Sequence, residues 1–227
     1  MRIGVLGTGT VGRALASKLD ELGHEVVMGS RDPEATAARR EAGPRGGPSF
    51  AEWHADHVGV LLGAFADAAR HGELLFLATS GEGALSALGS TDPADLHAKT
   101  LVDVTNPIDA SSGFPPTFFV TNTDSLAEQV QRAHPEAHVV KSLNTVTAAV
   151  MVEPGSVAEG RHTMFTAGDD AGAKDQVADA LREWFGWQEV IDLGDLTAAR
   201  SMEMYLALWI RLLGVLETSM FNVAVVR

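Results

Sequence analysis

Three glycines near the amino end have the residue type and spacing that chemistry requires. Gly7, Gly9 and Gly12 stand in Gly7-Thr8-Gly9-Thr10-Val11-Gly12, the G-x-G-x-x-G pattern. The first glycine allows a sharp turn. The second leaves the backbone bare for a pyrophosphate. The third lets a helix pack against a strand. The flanks suit those roles. Ile3 to Leu6 is a short apolar run of strand type, and Val11, Ala14, Leu15, Leu19 and Leu22 recur on one helical face. A helix that starts there turns its free N–H groups and positive dipole end toward phosphates. The pattern therefore predicts a dinucleotide site at Gly7, Thr8, Gly9, Thr10, Val11 and Gly12. The plainer reading is a glycine-rich strand–helix turn that binds nothing.

A second group bears on which dinucleotide is held. Gly23 stops the helix, and Glu25 to Met28 reads as the next strand, running into Gly29-Ser30-Arg31-Asp32-Pro33. Folds that prefer NAD end this strand with an acid that holds the ribose 2′-hydroxyl. Here Ser30 takes that place, followed by Arg31. A guanidinium is always charged and suits a phosphate fork, and a serine hydroxyl can add a bond. The pair favours NADP(H). The alternatives are that Arg31 is a solvated loop residue and that Asp32 takes the ribose contact.

The other strand ends are chemically mild. They supply Thr79-Ser80-Gly81, Asn106-Pro107 and Ser142 to Thr145. No G-x-S-x-G nucleophile elbow is present. His54 and His57 lie three apart on an expected helix, where exposed histidines are the default, and no third ligand stands near. No metal site is expected. Lys141 at a strand end reads as a catalytic lysine or, better, as a strand-end charge or phosphate contact. Carbonyl reduction usually needs a proton donor beside the oxygen, and no acid–base dyad is evident, so no catalytic side chain is assigned. Hydride transfer between two cofactor rings needs mainly that the rings be held face to face.

The elements that must position these groups follow from the apolar pattern. Glu73 to Thr79 is a continuous apolar run, as in a parallel strand covered on both faces. Further strands are expected at Thr100 to Thr105, His138 to Lys141, His162 to Ala167 and Glu189 to Leu193. Helices are expected over Phe50 to His71, Ser125 to Ala133 and Asp170 to Phe185. Arg39 to Ser49 and Asp109 to Thr123 read as loops. Strands alternating with helices make an α/β fold, a Rossmann-type doubly wound parallel sheet with helices on both faces. Residues 1–227 read as a single domain with a helical segment from about residue 197. That segment, Met204 to Leu216, is apolar almost all round. It is too short and too interrupted by Arg211 for a membrane span. It reads as a core helix, a homodimer contact or a wall of the second substrate's pocket.

Composition narrows the function. The chain has 227 residues, no cysteine and a formal net charge of −13. Without cysteine there is no disulfide, thiolate nucleophile, iron–sulfur cluster or cysteine-based zinc site. The acidic surface argues against nucleic acid and anionic membranes as partners. The direct run into a strand gives the expectation of no signal peptide and of a cytoplasmic protein.

The quoted motifs, together with Asp103-Val104-Thr105-Asn106-Pro107, Val140-Lys141-Ser142-Leu143-Asn144-Thr145-Val146, Leu208-Trp209 and Phe221-Asn222, resemble those of F420-dependent NADP reductases, across essentially the whole chain. Its pattern is most similar to the bacterial branch. The resemblance implies a Rossmann-type fold and hydride passage between NADPH and C5 of the deazaflavin coenzyme F420. It implies NADP contacts at Thr8, Thr10, Val11, Ser30 and Arg31, with nicotinamide near Thr79, Ser80 and Asn106, and Pro107 is counted with the cofactor-binding residues. The second substrate is expected at Gly81, Asn144, Thr145 and Trp209. Archaeal members commonly carry an aromatic residue and a histidine just after the strand that here ends at Thr79. This chain has Ser80-Gly81-Glu82-Gly83, and Glu82 adds negative charge where anionic F420 must approach. The other readings are an NADPH-dependent reductase of a flavin, quinone or imine, and a non-catalytic NADP-binding regulator.

Overall fold

The computed structural model describes residues 1–43 and 47–227. Residues 44–46, within the expected loop from Arg39 to Ser49, lie outside the described residues. β1 (Arg2–Leu6) is buried after its first residue. α1 (Thr10–Glu21) buries Gly12, Leu15, Ala16 and Leu19 against it. The chain leaves α1 through Gly23, whose φ of +79° suits a residue without a side chain. β2 (Glu25–Ser30) follows, then α2 (Pro33–Ala38), which opens with an Asp32 carboxylate accepting from the Ala35 N–H and a proline in its first turn. α3 (Phe50–Asp56) opens with a reciprocal capping box between Ser49 and Glu52.

Next come β3 (Leu61–Ala64), α4 (Phe65–His71), β4 (Leu74–Leu77), α5 (Ala84–Leu88), α6 (Pro93–Leu96) and β5 (Thr100–Asp103). A small hairpin, β6 (Ile108–Asp109) and β7 (Thr117–Phe118), interrupts the alternation before α7 (Leu126–Ala133). β8 (His138–Ser142), α8 (Ala148–Val152), β9 (Thr163–Gly168), α9 (Ala171–Ala180), β10 (Glu189–Asp192) and α10 (Ala199–Leu216) complete the chain.

Eight strands form one sheet in the order β10-β9-β8-β5-β4-β1-β2-β3. The fold is the expected Rossmann-type α/β arrangement with one exception: β8 and β9 pair antiparallel. The pattern of apolar residues carries no strand direction, so this reversal was not legible from it. Helices cover both faces. Leu15 and Leu19 of α1, Val150 and Met151 of α8 and Val177 of α9 pack with Trp187 on one side. Leu88, Leu96, Leu126 and Val130 pack on the other. Phe50 to His71 is not one helical stretch, because β3 separates α3 from α4. A four-residue apolar run does not distinguish strand from helix by period alone. The loop expected from Asp109 to Thr123 contains the hairpin.

Register decides where a ligand can sit. Leu6 lies beside Gly29 and Leu77, Leu77 beside Asp103, and Asp103 beside Lys141. The carboxyl ends of β1, β2, β4, β5 and β8 therefore finish at one edge. From β1 the chain winds one way through β2 and β3 and the other way from β4 onward. Ligands in such sheets bind at this switch point.

Candidate active site

Each glycine of the opening motif has a distinct physical reason. Gly7 has φ +127°, and a Cβ there would lie 2.4 Å from the Ala78 carbonyl oxygen. At Gly12 a Cβ would lie 2.1 Å from the Gly7 carbonyl oxygen, so the helix could not approach the turn. At Gly9 a Cβ would meet nothing within 4 Å. Gly7 and Gly12 are demanded by the protein's own packing, and Gly9 leaves open space. α1 starts at Gly9 with no side-chain cap, so its first N–H groups face the cleft without a protein side chain to satisfy them. This is a cradle that suits phosphate oxygens.

Three overlapping cavities of about 520, 630 and 320 Å³ form one cleft along the strand ends. The nucleotide end is lined by Gly7, Thr8, Gly9, Ser30, Arg31, Thr36, Arg39 and Phe65. It shares Gly9, Thr79 and Ser80 with the middle, which adds Gly81, Glu82, Asn106, Ile108 and Ser111. The middle shares Thr10, Val11 and Asn106 with the far end, which adds Asn144, Val146, Met151, Leu206 and Trp209. The hairpin loop therefore forms one wall of the middle cavity and α10 one wall of the far end. Most of the expected site residues meet here. Gly12, Pro107 and Thr145 line none of the three cavities. Gly12 serves packing, Pro107 is buried, and Thr145 is buried at 1% exposure.

At the nucleotide end, Arg31 is exposed at the cleft. Ser30 is not free in the expected way, because its hydroxyl lies 2.6 Å from the Thr36 hydroxyl and 3.2 Å from the Asp32 carbonyl oxygen. Asp32 is engaged as the α2 cap. Arg39, which the sequence placed in a loop, reaches the same cavity.

In the middle, Gly81 packs tightly under Asn106, where an added Cβ would lie 2.1 Å from the Asn106 carbonyl oxygen. Asn106 and Asn144 bond reciprocally. The Asn106 amide donates to the Asn144 carbonyl at 2.9 Å, and the Asn144 amide donates to Asn106 Oδ1 at 3.0 Å and to the Met202 carbonyl at 3.1 Å. Asn144 Oδ1 and Thr79 Oγ1 are buried without a protein partner. Buried polar atoms are normally paired, so these two suit donors and acceptors on a bound ring. Among the described residues lining the middle and far cavities, Glu82 is the sole ionisable side chain.

Lys141 corrects the sequence reading. It is neither a strand-end charge, a phosphate contact nor a group that can touch substrate, because it is fully buried. Its ammonium donates to Asp103 Oδ2 at 3.0 Å and to the Thr105 carbonyl at 2.6 Å, and it pairs with Glu203 Oε1 at 2.9 Å. Burial alone would push this lysine down, but Asp103 and Glu203 outweigh it and hold it above its ordinary value. Burial, with the neighbouring Asp103 carboxylate, pushes Glu203 up despite Lys141. Glu203 also accepts the first N–H groups of α7, from Leu126 at 2.9 Å and Ala127 at 3.2 Å. The triad thus ties β5, β8, α7 and α10 together beneath the cleft.

A further expectation changes, at the two histidines. His54 and His57 are half-buried and bonded to the Val60 and Trp53 carbonyls at 2.9 and 2.7 Å. Trp209 points inward, stacked on Phe221 with ring centroids 5.4 Å apart. Leu206 and Ile210 are buried, while the outward side of α10 is Met204, Leu208, Val215 and Leu216, with Leu208 at 53% exposure. Among the described residues, no helix is long and apolar enough to cross a membrane.

Comparison with known proteins adds the following. A family model described as NADP oxidoreductase, coenzyme F420-dependent, matches residues 2–107. The F420-dependent NADP reductase of Methanothermobacter marburgensis is 31% identical over 218 residues, covering 93% of this chain and 92% of that protein. Metalloreductase STEAP3 of Rattus norvegicus is 30% identical over 203 residues, and the chain spans only 36% of its length. A crystal structure of a candidate F420-dependent NADP reductase from Arthrobacter sp. FB24 superposes with a TM-score of 0.95 at 52% identity, covering 100% of both chains. A reductive aminase from Aspergillus terreus shares the fold alone, at a TM-score of 0.62 and 16% identity.

Proposed function

The chain belongs to the coenzyme F420-dependent NADP oxidoreductases, and from that premise we propose that its cleft holds NADP(H) and F420 end to end for hydride transfer. When bound, the two rings supply the donor and acceptor carbons. The residues bind, orient and exclude water. The open backbone at Gly9 and the uncapped start of α1 take the pyrophosphate, and Arg31 takes the 2′-phosphate. Thr79, Ser80 and Asn106 border the nicotinamide. Gly81, Asn144 and Trp209 border the deazaflavin. The observation that carries this reading is the near absence of ionisable groups where the rings would meet. A cleft built for carbonyl reduction would place a proton donor there, whereas ring-to-ring transfer needs alignment. The buried acceptor oxygens of Asn144 and Thr79 suit such alignment.

The test is to mix the protein with NADPH and F420 and follow the deazaflavin absorbance. Its loss with turnover is expected. Unchanged absorbance at saturating NADPH, with turnover on a flavin, quinone or imine instead, would overturn the F420 assignment.

The outward apolar side of α10 further suggests a homodimer with a twofold axis near that helix. Because Trp209 faces inward, Leu208→Glu is the informative variant. Light scattering should show dimers for the natural chain and monomers for the variant. A monomeric natural chain at micromolar concentration would overturn this part. A reducing, cytoplasmic setting suits a chain without cysteine.

A further inference from the structure

We infer that Arg39, together with Arg31, forms a two-guanidinium clamp on the 2′-phosphate and that Arg39 is a determinant of NADP(H) preference. This rests on the reading of the cleft as an NADP(H) site. Ser30 is only 6% exposed and its hydroxyl is spent on Thr36 and the Asp32 carbonyl. Asp32 is spent on capping α2. Of Ser30, Arg31 and Asp32, only Arg31 has a side chain left to turn to a ligand. A phosphate monoester carries about −1.5 to −2 charge near neutrality. The chain carries −13 overall, which disfavours an anion at long range. One exposed arginine is thin provision for that charge.

Arg39 supplies the second. Its backbone is fixed on both sides: its N–H donates to the Thr36 carbonyl, and its own carbonyl accepts from the Ala51 N–H. The side chain then crosses the face of Phe50, with the guanidinium carbon 5.4 Å from the ring centroid. Its Nη2 ends 3.4 Å from both the carbonyl and the hydroxyl oxygen of Thr8 in the glycine-rich turn. Neither arginine forms an ion pair with a carboxylate among the described residues. Both line the cavity at the carboxyl end of β2, where the adenosine ribose lies in folds of this kind. The Phe50 face and the two backbone bonds hold Arg39 in place before any ligand arrives, so little side-chain freedom is lost on binding. Arg31, exposed at the cleft mouth, closes the other side.

The experiment uses 2′,5′-ADP and 5′-AMP as probes, titrated by calorimetry into the natural chain, Arg39→Met, Arg39→Lys and Arg31→Ala. Methionine keeps an apolar stem over Phe50, so the melting temperature should not move. Arg39→Met should weaken 2′,5′-ADP roughly tenfold to a hundredfold, the worth of a bond to a charged group, and 5′-AMP less than about threefold. Arg39→Lys should recover part of the loss, since the charge returns without the planar fork. If the natural chain does not prefer 2′,5′-ADP over 5′-AMP, the NADP(H) reading fails and the clamp with it. If the natural chain prefers 2′,5′-ADP and Arg39→Met keeps that preference while Arg31→Ala loses it, the NADP(H) reading stands and the clamp alone is overturned. Equal weakening of both probes by Arg39→Met would assign Arg39 to the 5′-phosphate and overturn its role in preference.

Discussion

The two ends of the cleft are built by opposite means. The nucleotide end uses short chain segments: a turn of consecutive residues from Gly7 to Gly12, and the Ser30-Arg31 step at the end of β2. Its main groups are backbone N–H and space, secured by glycines. The acceptor end draws on residues far apart in the chain, Asn106, Asn144, Leu206 and Trp209. They are held by side-chain bonds that span 38 and 58 residues and by the buried triad of Asp103, Lys141 and Glu203. A local motif can bind phosphate whatever lies beyond it. A cavity lined by residues so far apart in the chain must be assembled by the whole fold, and this one is pinned from below by charge.

The contrast is most sharply tested at Lys141. Replacing it with methionine leaves two buried carboxylates without their cation, a loss on the order of 3–5 kcal/mol. The urea midpoint should fall accordingly. In the fraction that stays folded, 2′,5′-ADP should still bind, and loss of that binding would show that the two ends are not separable. Gly9→Val is the reverse experiment. A branched side chain in the open space above the turn displaces the pyrophosphate. Losing two bonds to charged oxygens at roughly 1.5–3 kcal/mol each lowers NADPH affinity at least about a hundredfold. Circular dichroism and the melting temperature should be unchanged, because a Cβ at this position touches nothing.

Arg31→Ala is a smaller perturbation of the same end. It should cost roughly 1.5–3 kcal/mol in NADPH binding and far less in NADH binding. Equal losses for both would remove Arg31 from the 2′-phosphate. The smallest effect is in pH dependence. Glu203 holds its proton more readily in the folded than in the unfolded chain, because burial raises it. Its contribution to stability is complete below the ordinary carboxylate range and is lost as pH rises through the raised value. As pH rises above the ordinary carboxylate range, the natural chain's urea midpoint should therefore fall more steeply than that of Glu203→Gln. Parallel slopes would show that Glu203 does not titrate differently on folding.

Much of the local structure at the glycine-rich end of the cleft was legible residue by residue. The glycine spacing, the strand before it and the helix after it are short-range features, and Arg31 announces itself by replacing an expected acid. Arg39 was hidden because its approach to Thr8 depends on its packing over Phe50 and its backbone bond to Ala51, neither of which spacing reveals. Trp209 and Leu206 were legible as apolar helix residues. Their direction was not, since an almost wholly apolar helix has no preferred face in its own sequence. The β6–β7 hairpin and the four-residue β3 were too short to leave a period.

By itself, the sequence determined the strand–turn–helix at residues 2–21, the alternation of strands and helices, the absence of thiol chemistry and the polar, weakly ionisable character of the strand ends. These depend on spacing and residue type within a few neighbours. Tertiary structure alone decided that β9 runs against β8, that α10 turns Leu208 outward and Trp209 inward, and that Lys141 meets two acids in the interior instead of a ligand at the surface. The reason is physical. Whether a charge is solvated, paired or poised for chemistry depends on what surrounds it in space, and the partners of Lys141 lie 38 and 62 positions away in the chain.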